Sequence, residues 1–277
     1  MLPNAIVIGA AKCGTTSLHE YLDLHPEIAM SREKELNFFV AEQNWSRGLA
    51  WYEAQFGDAP IRGESSPAYT VHPLRPGVPE RMSATIPGVR LVYLVRDPID
   101  RIVSNYLHRS VNRPEMGTLH DALADPHVRE WLVMPSCYWL QLEEFLRYFP
   151  REQILVVDSD DLRRSRQQTL AAIFAFLGAA ASYRVPGFDR THNVATGRVR
   201  RTRIGETVSD ALEHLLGPSR SQALRERVPS SLKSPFRYDS GPPVLGEGLR
   251  TALMEELSPQ VSRLRAETGL AFSGWSL

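Results

Sequence analysis

A lysine and three hydroxyl side chains near the start of the chain form a pattern suited to binding an anion. The apolar run Ala5–Gly9 predicts a buried strand, Lys12 and Gly14 follow it, and residues 15–17 are Thr-Thr-Ser at the start of a helical pattern. The first turn of a helix has free N–H groups and the positive end of the helix dipole, and both attract negative charge. The sequence therefore predicts a phosphate-type loop here. A glycine-containing turn with an incidental lysine is the alternative.

This loop differs from the common nucleoside-triphosphate loop. That pattern is G-x-x-x-x-G-K-S/T, with lysine after the last glycine and a hydroxyl ligand for magnesium. Here Lys12 precedes Gly14, and no later stretch has an obvious magnesium-binding aspartate after four apolar residues. The pattern therefore favours an anion site of another kind.

A second basic residue stands where another strand is expected to end. Residues 89–95 form the strongest apolar run, and Arg96 follows it directly. Asp97 can cap the helix that Pro98 begins, which puts Ser104 about two turns into that helix. Ligands of open α/β sheets bind beyond the carboxyl ends of the strands, so Arg96 is a candidate second phosphate clamp. An arginine that only pairs with a nearby aspartate is the alternative.

Two further charged segments carry weaker signals. Residues 31–39 are charged and then aromatic, with Lys34 and Glu35 before a Phe-Phe pair; alone, this favours a solvated turn ahead of core aromatics. Residues 184–203 contain six arginines. This cluster is short and the chain is neutral, so a loop that folds over an anionic ligand fits better than nucleic-acid binding. A solvated basic loop is the alternative.

Composition places the chain among ordinary globular proteins. It has 277 residues, 43% hydrophobic and 23% charged, with a formal net charge of zero, so no bulk field recruits nucleic acid or an anionic membrane. The chain shows no membrane-spanning run or secretory signal, and its two cysteines give no disulfide framework, so we expect a cytoplasmic protein. Only Lys12, Lys34 and Lys233 are lysines among 32 basic residues, which suggests a GC-rich bacterial genome.

Strand and helix patterns alternate along the chain. Strands are expected at 5–9, 27–30, from 61, at 89–95 and at 153–158. Helices are expected at 15–24, 46–56, 78–86, from 98, at 138–149 and 161–177, and at 245–269 with an interruption near Pro259. This alternation predicts an α/β fold with a central parallel sheet flanked by helices.

Four motifs follow one another in an order that resembles a known family. They are the Lys-x-Gly-Thr loop, the Lys-Glu-x-x-Phe-Phe segment, the strand ending in Arg-Asp-Pro with Ser104 beyond it, and a late Gly-Trp pair. Together they resemble sulfotransferases that use 3'-phosphoadenosine 5'-phosphosulfate (PAPS), on the branch that includes heparan sulfate sulfotransferases and many bacterial members. The resemblance implies a P-loop-type three-layer sandwich, with residues 1–277 as a single sulfotransferase domain.

The resemblance also implies roles for individual residues. Glu35 would be the general base, provided that burial raises its pKa; Lys12 would stabilise the leaving phosphate, and Lys34 would add charge at the sulfuryl group. Arg96 and Ser104 would hold the 3'-phosphate. The 5'-phosphosulfate would lie on Lys12, Cys13, Gly14, Thr15, Thr16 and Ser17, and a late basic loop over the nucleotide would be Gly197 with Arg198 or Arg200. The co-substrate would be PAPS and the product adenosine 3',5'-bisphosphate (PAP), with no metal.

One departure from the family bears on the acceptor. Ser65 stands where heparan sulfate enzymes carry a lysine after the glutamate, and the cysteine pair of the extracytoplasmic enzymes is absent. We therefore expect a hydroxyl of a small-molecule or carrier-bound acceptor, such as a natural product of secondary metabolism or a glycan, rather than a polysaccharide. Its pocket is expected within residues 35–51, 69–77 and 107–138.

Three alternatives stay open at this point. A nucleotide-dependent kinase with an atypical phosphate loop would need magnesium and a carboxylate ligand. A non-catalytic nucleotide-binding protein of the same fold would use Glu35 only structurally. A histidine base, His72 or His108, would be a variant of the sulfotransferase mechanism.

Overall fold

The computed structural model describes residues 1–111, 113–184, 186–189, 200–201, 237–238, 243 and 245–277. Gly197 and Arg198, which the sequence analysis assigned to a late loop over the nucleotide, lie outside the described residues.

Five parallel strands form the central sheet. They are β1 (Ala5–Gly9), β2 (Ile28–Met30), β3 (Ile61–Ser65), β4 (Arg90–Val95) and β5 (Ile154–Asp158), in the order β2-β3-β1-β4-β5. Every residue of β1 is buried, and so are residues 91–95 of β4. Successive side chains of a strand point to opposite faces, so both faces of these strands are covered. The predicted parallel α/β sheet is confirmed.

Helices connect the strands and flank the sheet. They are α1 (Thr15–Asp23), α2 (Gly48–Glu53), α3 (Val78–Thr85), α4 (Pro98–Ser110), α5 (Leu119–Ala124), α6 (Pro126–Val133), α7 (Tyr138–Leu146), α8 (Ser159–Arg164), α9 (Arg166–Leu177) and α10 (Glu247–Thr268). An antiparallel pair, β6 (Arg200–Arg201) with β7 (Arg237–Tyr238), lies later in the chain. As predicted, Asp97 caps α4 by accepting from the Asp100 N–H at 3.0 Å. Gly178 ends α9 with a φ of 85°.

Two helices differ from the prediction made from the sequence. The single helix expected over residues 161–177 is two helices, α8 and α9, because Ser165 between them takes a non-helical conformation with φ −126° and ψ 43°. The interruption expected near Pro259 is absent, and α10 continues through it. Leu257 and Val261 on either side of the proline are buried, and this packing outweighs the roughly 3 kcal/mol that an interior proline costs.

The helices α5 and α6 were not predicted. Their start signals are present in the sequence: Thr118 and Asp121 form a capping box at α5, and Asp125 caps α6. Together with α4 and α10 they build a second apolar cluster beside the main core, and that cluster includes Ile99, Ile102 and Tyr106 of α4. None of the described helices is both long and apolar enough to cross a membrane.

Candidate functional site

A cavity of about 1210 Å³ lies at the carboxyl ends of the strands. Its wall includes Ala11, Pro67, Arg96 and Ser159, which closely follow β1, β3, β4 and β5 respectively. β1 pairs with β3 on one side and β4 on the other, so the strand order changes direction here. Such a switch point is the usual ligand site of an open α/β sheet. The cavity lies at the edge where the sequence predicted an anion site.

The loop after β1 forms one wall of this cavity. α1 begins at Thr15, and Gly14 before it has a φ of 91°, a left-handed conformation that favours glycine. The first turn of α1 has no acidic residue, so no carboxylate there competes for its free N–H groups. The cavity wall includes the whole predicted loop set: Lys12, Cys13, Gly14, Thr15, Thr16 and Ser17.

The side chains of Tyr138, Arg96 and Arg101 contact the loop after β1. The Cys13 thiol is buried, lies 3.7 Å from the Tyr138 hydroxyl, and has a pKa raised by burial. Arg96 donates to the Lys12 carbonyl at 3.3 Å, and Arg101 donates to the Ala11 carbonyl at 3.5 Å. The shape of the loop therefore depends on the first turns of α4 as well as on its own residues.

Arg96 both lines the cavity, as a phosphate clamp would, and pairs with a nearby aspartate; the sequence had left these two arrangements as alternatives. Arg96 lines the cavity with a side chain that is 30% exposed, and its guanidinium also pairs with the Asp100 carboxylate at 3.2 Å. Because Asp100 is 62% exposed, water screens this pair, and an incoming anion can compete for the arginine. Ser104 lines the same cavity farther along α4.

Arg101 was not singled out from the sequence, although it lies three residues before Ser104 on the same side of α4. Its side chain is fully buried and donates to the Ser136 hydroxyl and the Leu132 carbonyl, besides the loop. Burial lowers the pKa of this guanidinium. Within the described part of the chain, no carboxylate pairs with it. A buried cation with neutral partners leaves a positive potential beneath the loop.

Glu35 lies at the cavity wall and forms an ion pair with its neighbour. The Lys34 ammonium is 2.7 Å from the Glu35 carboxylate, and the two side chains are 19% and 53% exposed. The burial that we expected at Glu35 is therefore not found. Lys34 is not among the residues that line the cavity, and it is connected to the cavity wall through its ion pair with Glu35.

The backbone beneath this pair is held in an unusual conformation. Glu35 and Asn37 have positive φ values of 67° and 47°. The Glu35 N–H donates to the Ser65 carbonyl at 3.0 Å, and the Asn37 N–H donates to the Ser66 hydroxyl at 2.9 Å. The segment after β3 thus fixes where Glu35 stands.

A second glutamate, Glu64, supports that segment from inside the core. It is fully buried and accepts hydrogen bonds from three hydroxyl groups: Ser66 at 2.6 Å, Tyr69 at 2.8 Å and Tyr52 at 2.5 Å. Burial raises the pKa of this carboxyl, and the three hydroxyl donors oppose that rise only in part. Glu64 does not line the cavity.

The two histidines considered as bases differ in position. His108 lines the cavity on α4, whereas His72 does not, and the backbone N–H of His72 donates to the Gln141 side chain at 2.7 Å. Arg200 lies in the strand β6.

Beyond the predicted residues, two groups of arginines line the cavity. Arg163 and Arg164 of α8 both pair with Asp160, at 2.9 and 3.6 Å. A second group contains Arg75, Arg109 and Arg113, and Trp131 lines the same cavity beside Arg75 and Arg109. The second group falls within the two segments, 69–77 and 107–138, in which the sequence predicted the acceptor pocket. No local pattern identified its members, because the fold brings them together.

Comparisons with known proteins agree with this architecture. A model of the family described as "Sulfotransferase domain" matches residues 2–200. Human heparan sulfate glucosamine 3-O-sulfotransferase 5 is 31% identical over 188 residues, which is 64% of this chain and 53% of that protein. Human heparan sulfate glucosamine 3-O-sulfotransferase 3B1 is 33% identical over 187 residues, 64% of this chain and 46% of that protein.

A solved structure is similar over almost the full length. The crystal structure of a sulfotransferase from Alicyclobacillus acidocaldarius has a TM-score of 0.71 and 23% identity, covering 99% of this chain and 98% of that chain. This likeness shows the fold. The chain spans about half the length of the curated relatives it matches.

Proposed function

This chain belongs to the sulfotransferase domain family, and on that premise we propose that it is a sulfotransferase that uses PAPS. Its acceptor is a hydroxyl group of a small-molecule or carrier-bound compound. The observation that carries the proposal is the cationic cradle at the switch point of the sheet. Lys12, Arg96 and Arg101 surround a loop and a helix start that lack acidic side chains in the first turn.

The cradle suits a donor that carries several negative charges. Arg101 is buried with neutral partners, and an uncompensated buried charge destabilises a protein by several kcal/mol. A bound anion above the loop offsets that penalty. Lys12, Gly14 and residues 15–17 would hold the 5'-phosphosulfate, and Arg96 with Ser104 would hold the 3'-phosphate. When bound, PAPS supplies a sulfuryl group attached to a phosphate leaving group.

The residues of the chain then have separable tasks. Glu35 accepts the proton of the acceptor hydroxyl. Lys12 and the start of α1 stabilise the negative charge that develops on the departing phosphate. Lys34 holds the Glu35 carboxylate through their ion pair and is a positioning residue in this scheme. The direct role of Lys34 at the sulfuryl group stays a prediction, as do the cytoplasmic location, the bacterial source and the place in secondary metabolism.

Replacing Glu35 with Gln tests the assignment of the base. We expect turnover with 35S-labelled PAPS and a panel of hydroxyl acceptors to fall at least about a hundredfold, since Gln cannot take the proton. PAP affinity should not change. Glu33→Gln is the matched control, because Glu33 is an exposed glutamate of the same segment. Equal turnover in the Glu35 variant and the control would remove Glu35 as the base.

A further inference from the structure

We propose that the cavity contains a second anion site, formed by Arg75, Arg109 and Arg113 beside Trp131, which binds a phosphate, sulfate or carboxylate group on the acceptor itself. The inference rests on the proposed function, since it assigns this end of the cavity to the acceptor. It makes the acceptor a hydroxyl compound that already carries a negative charge.

This site is separate from the donor cradle along the axis of α4. The residues of α4 that line the cavity lie on one side of the helix: Asp100, Arg101, Ser104, Asn105, His108 and Arg109. Arg96 and the phosphate loop meet the start of α4, and Arg109 is in its last turn. The eleven residue-to-residue steps from Pro98 to Arg109 span about 16 Å at 1.5 Å per residue. One cavity thus has a basic group at each end of the helix.

Arg75, Arg109 and Arg113 differ in their partners from the three cavity arginines that form salt bridges. Arg96, Arg163 and Arg164 each pair with an aspartate. For Arg75, Arg109 and Arg113, no salt bridge to a carboxylate is found among the residues that the structure describes. The negative charge of Glu42 acts on Arg75, but the two side chains form no salt bridge in the described part of the chain.

The positive charges around Arg109 support the same conclusion. The pKa of Arg109 is lowered first by burial and then by the positive charges of Arg113, Arg101 and Arg75. Burial also lowers the pKa of Arg75. Packing like charges together is unfavourable, and an anion bound between them relieves both the repulsion and the lost hydration.

Neutral neighbours hold these arginines without neutralising them. The Trp131 ring centroid lies 5.7 Å from the Arg75 Cζ and 5.3 Å from the Arg109 Cζ. With its amide oxygen turned toward Arg75, Gln43 accepts from both terminal nitrogens at 2.9 and 3.0 Å. Such contacts orient a guanidinium and leave its charge for a ligand. Because Trp131 already engages two guanidinium groups, the site recognises charge rather than a stacked neutral ring.

The location also fits an acceptor. Pro67, Ala68 and Val71 line the cavity, and in the sequence they lie between Ser66, which helps to fix Glu35, and Arg75. An acceptor with its hydroxyl at Glu35 can lie along this apolar wall and reach the arginines with its anionic group. The length of that wall then sets the distance between hydroxyl and anion.

The test is a calorimetric titration of inorganic sulfate into protein already saturated with PAP, so that the donor cradle is filled. We expect sulfate to bind, and the double variant Arg75→Gln/Arg109→Gln to bind it at least about tenfold more weakly. PAP affinity should stay within about threefold. The matched control is Arg263→Gln, since Arg263 also lies over a tryptophan, Trp139, at 5.3 Å, but outside the cavity wall. Parallel titrations with phosphate and acetate distinguish a doubly charged group from a carboxylate.

Two results overturn the inference while leaving the proposed function intact. They are PAP-saturated protein that binds no sulfate, and a double variant that binds sulfate as tightly as the control. If PAP itself does not bind, the proposed function fails instead. Sulfate titrated into the free protein then still decides the inference, through the difference between the double variant and the control.

Discussion

Glu35 and Lys34 form an ion pair of which only the carboxylate partner lines the cavity. The carboxylate lies at the cavity wall and the ammonium stands behind it, 2.7 Å away. Glu35 is half-exposed, so its position depends on this pair and on the strained backbone beneath it. That backbone is tied to Ser65 and Ser66, which follow Glu64 directly.

The buried carboxyl of Glu64 predicts a pH dependence of stability. Burial raises its pKa above its ordinary value of 4.5, so the folded state binds this proton more tightly than the unfolded state does. The stability that the protonated group contributes is complete below pH 4.5 and is lost as the pH rises through the raised pKa. Glu64→Gln removes the titration. We therefore expect the stability advantage of the wild type over this variant to shrink across that window.

Urea unfolding over a pH series measures this advantage, with Glu33→Gln as the exposed control. A constant difference between the wild type and Glu64→Gln at every pH would contradict the assigned burial effect. A decline that the control shows equally would assign the effect to other groups.

At the scale of elements, the loop between β1 and α1 depends on one left-handed glycine. An added Cβ at Gly14 would meet nothing within 4 Å, so a substitution there is opposed by backbone conformation alone. We expect Gly14→Ala to lower the free energy of unfolding by about 1–2 kcal/mol. Gly88→Ala is the matched control, because that position is equally open and its φ is not left-handed. Equal effects of the two substitutions in urea unfolding would contradict a specific need for glycine at position 14.

The elements that could be predicted from the sequence are those with local signals. β1 and β4 are apolar runs, and the caps at Gly14 and Asp97 stand beside them. The continuous helix through Pro259 could not be predicted, because burial of Leu257 and Val261 against other elements overrides the local preference. The break at Ser165 has no glycine or proline to announce it.

The candidate site divides in the same way. The loop of residues 12–17, Arg96 and Ser104 lie in segments whose own patterns predict a strand end and a helix start. Glu64 meets Tyr52 from a different segment, and Trp131 meets Arg75 from 56 positions earlier in the sequence. Such contacts exist only once the chain has folded, so no local spacing indicates them.

Across the whole molecule, positive charge is distributed unevenly although the net charge is zero. The chain is formally neutral, yet nine cationic side chains line one cavity with four acidic ones. The cations are Lys12, Arg75, Arg96, Arg101, Arg109, Arg113, Arg163, Arg164 and Arg166. A concave site lined mainly by one sign of charge concentrates the field and attracts anions even when the protein as a whole does not. Composition alone had excluded only a bulk field.

The measurement that tests the central claim most directly is a calorimetric titration with PAP and, separately, with ATP, both without magnesium. We expect PAP to bind, ATP to bind much more weakly, and Arg96→Ala to weaken PAP binding by about tenfold or more, as for loss of a charged hydrogen-bond donor. Absence of PAP binding would contradict the account. Binding of ATP alone, and only after magnesium is added, would contradict it as well and identify the chain as a kinase with an atypical loop.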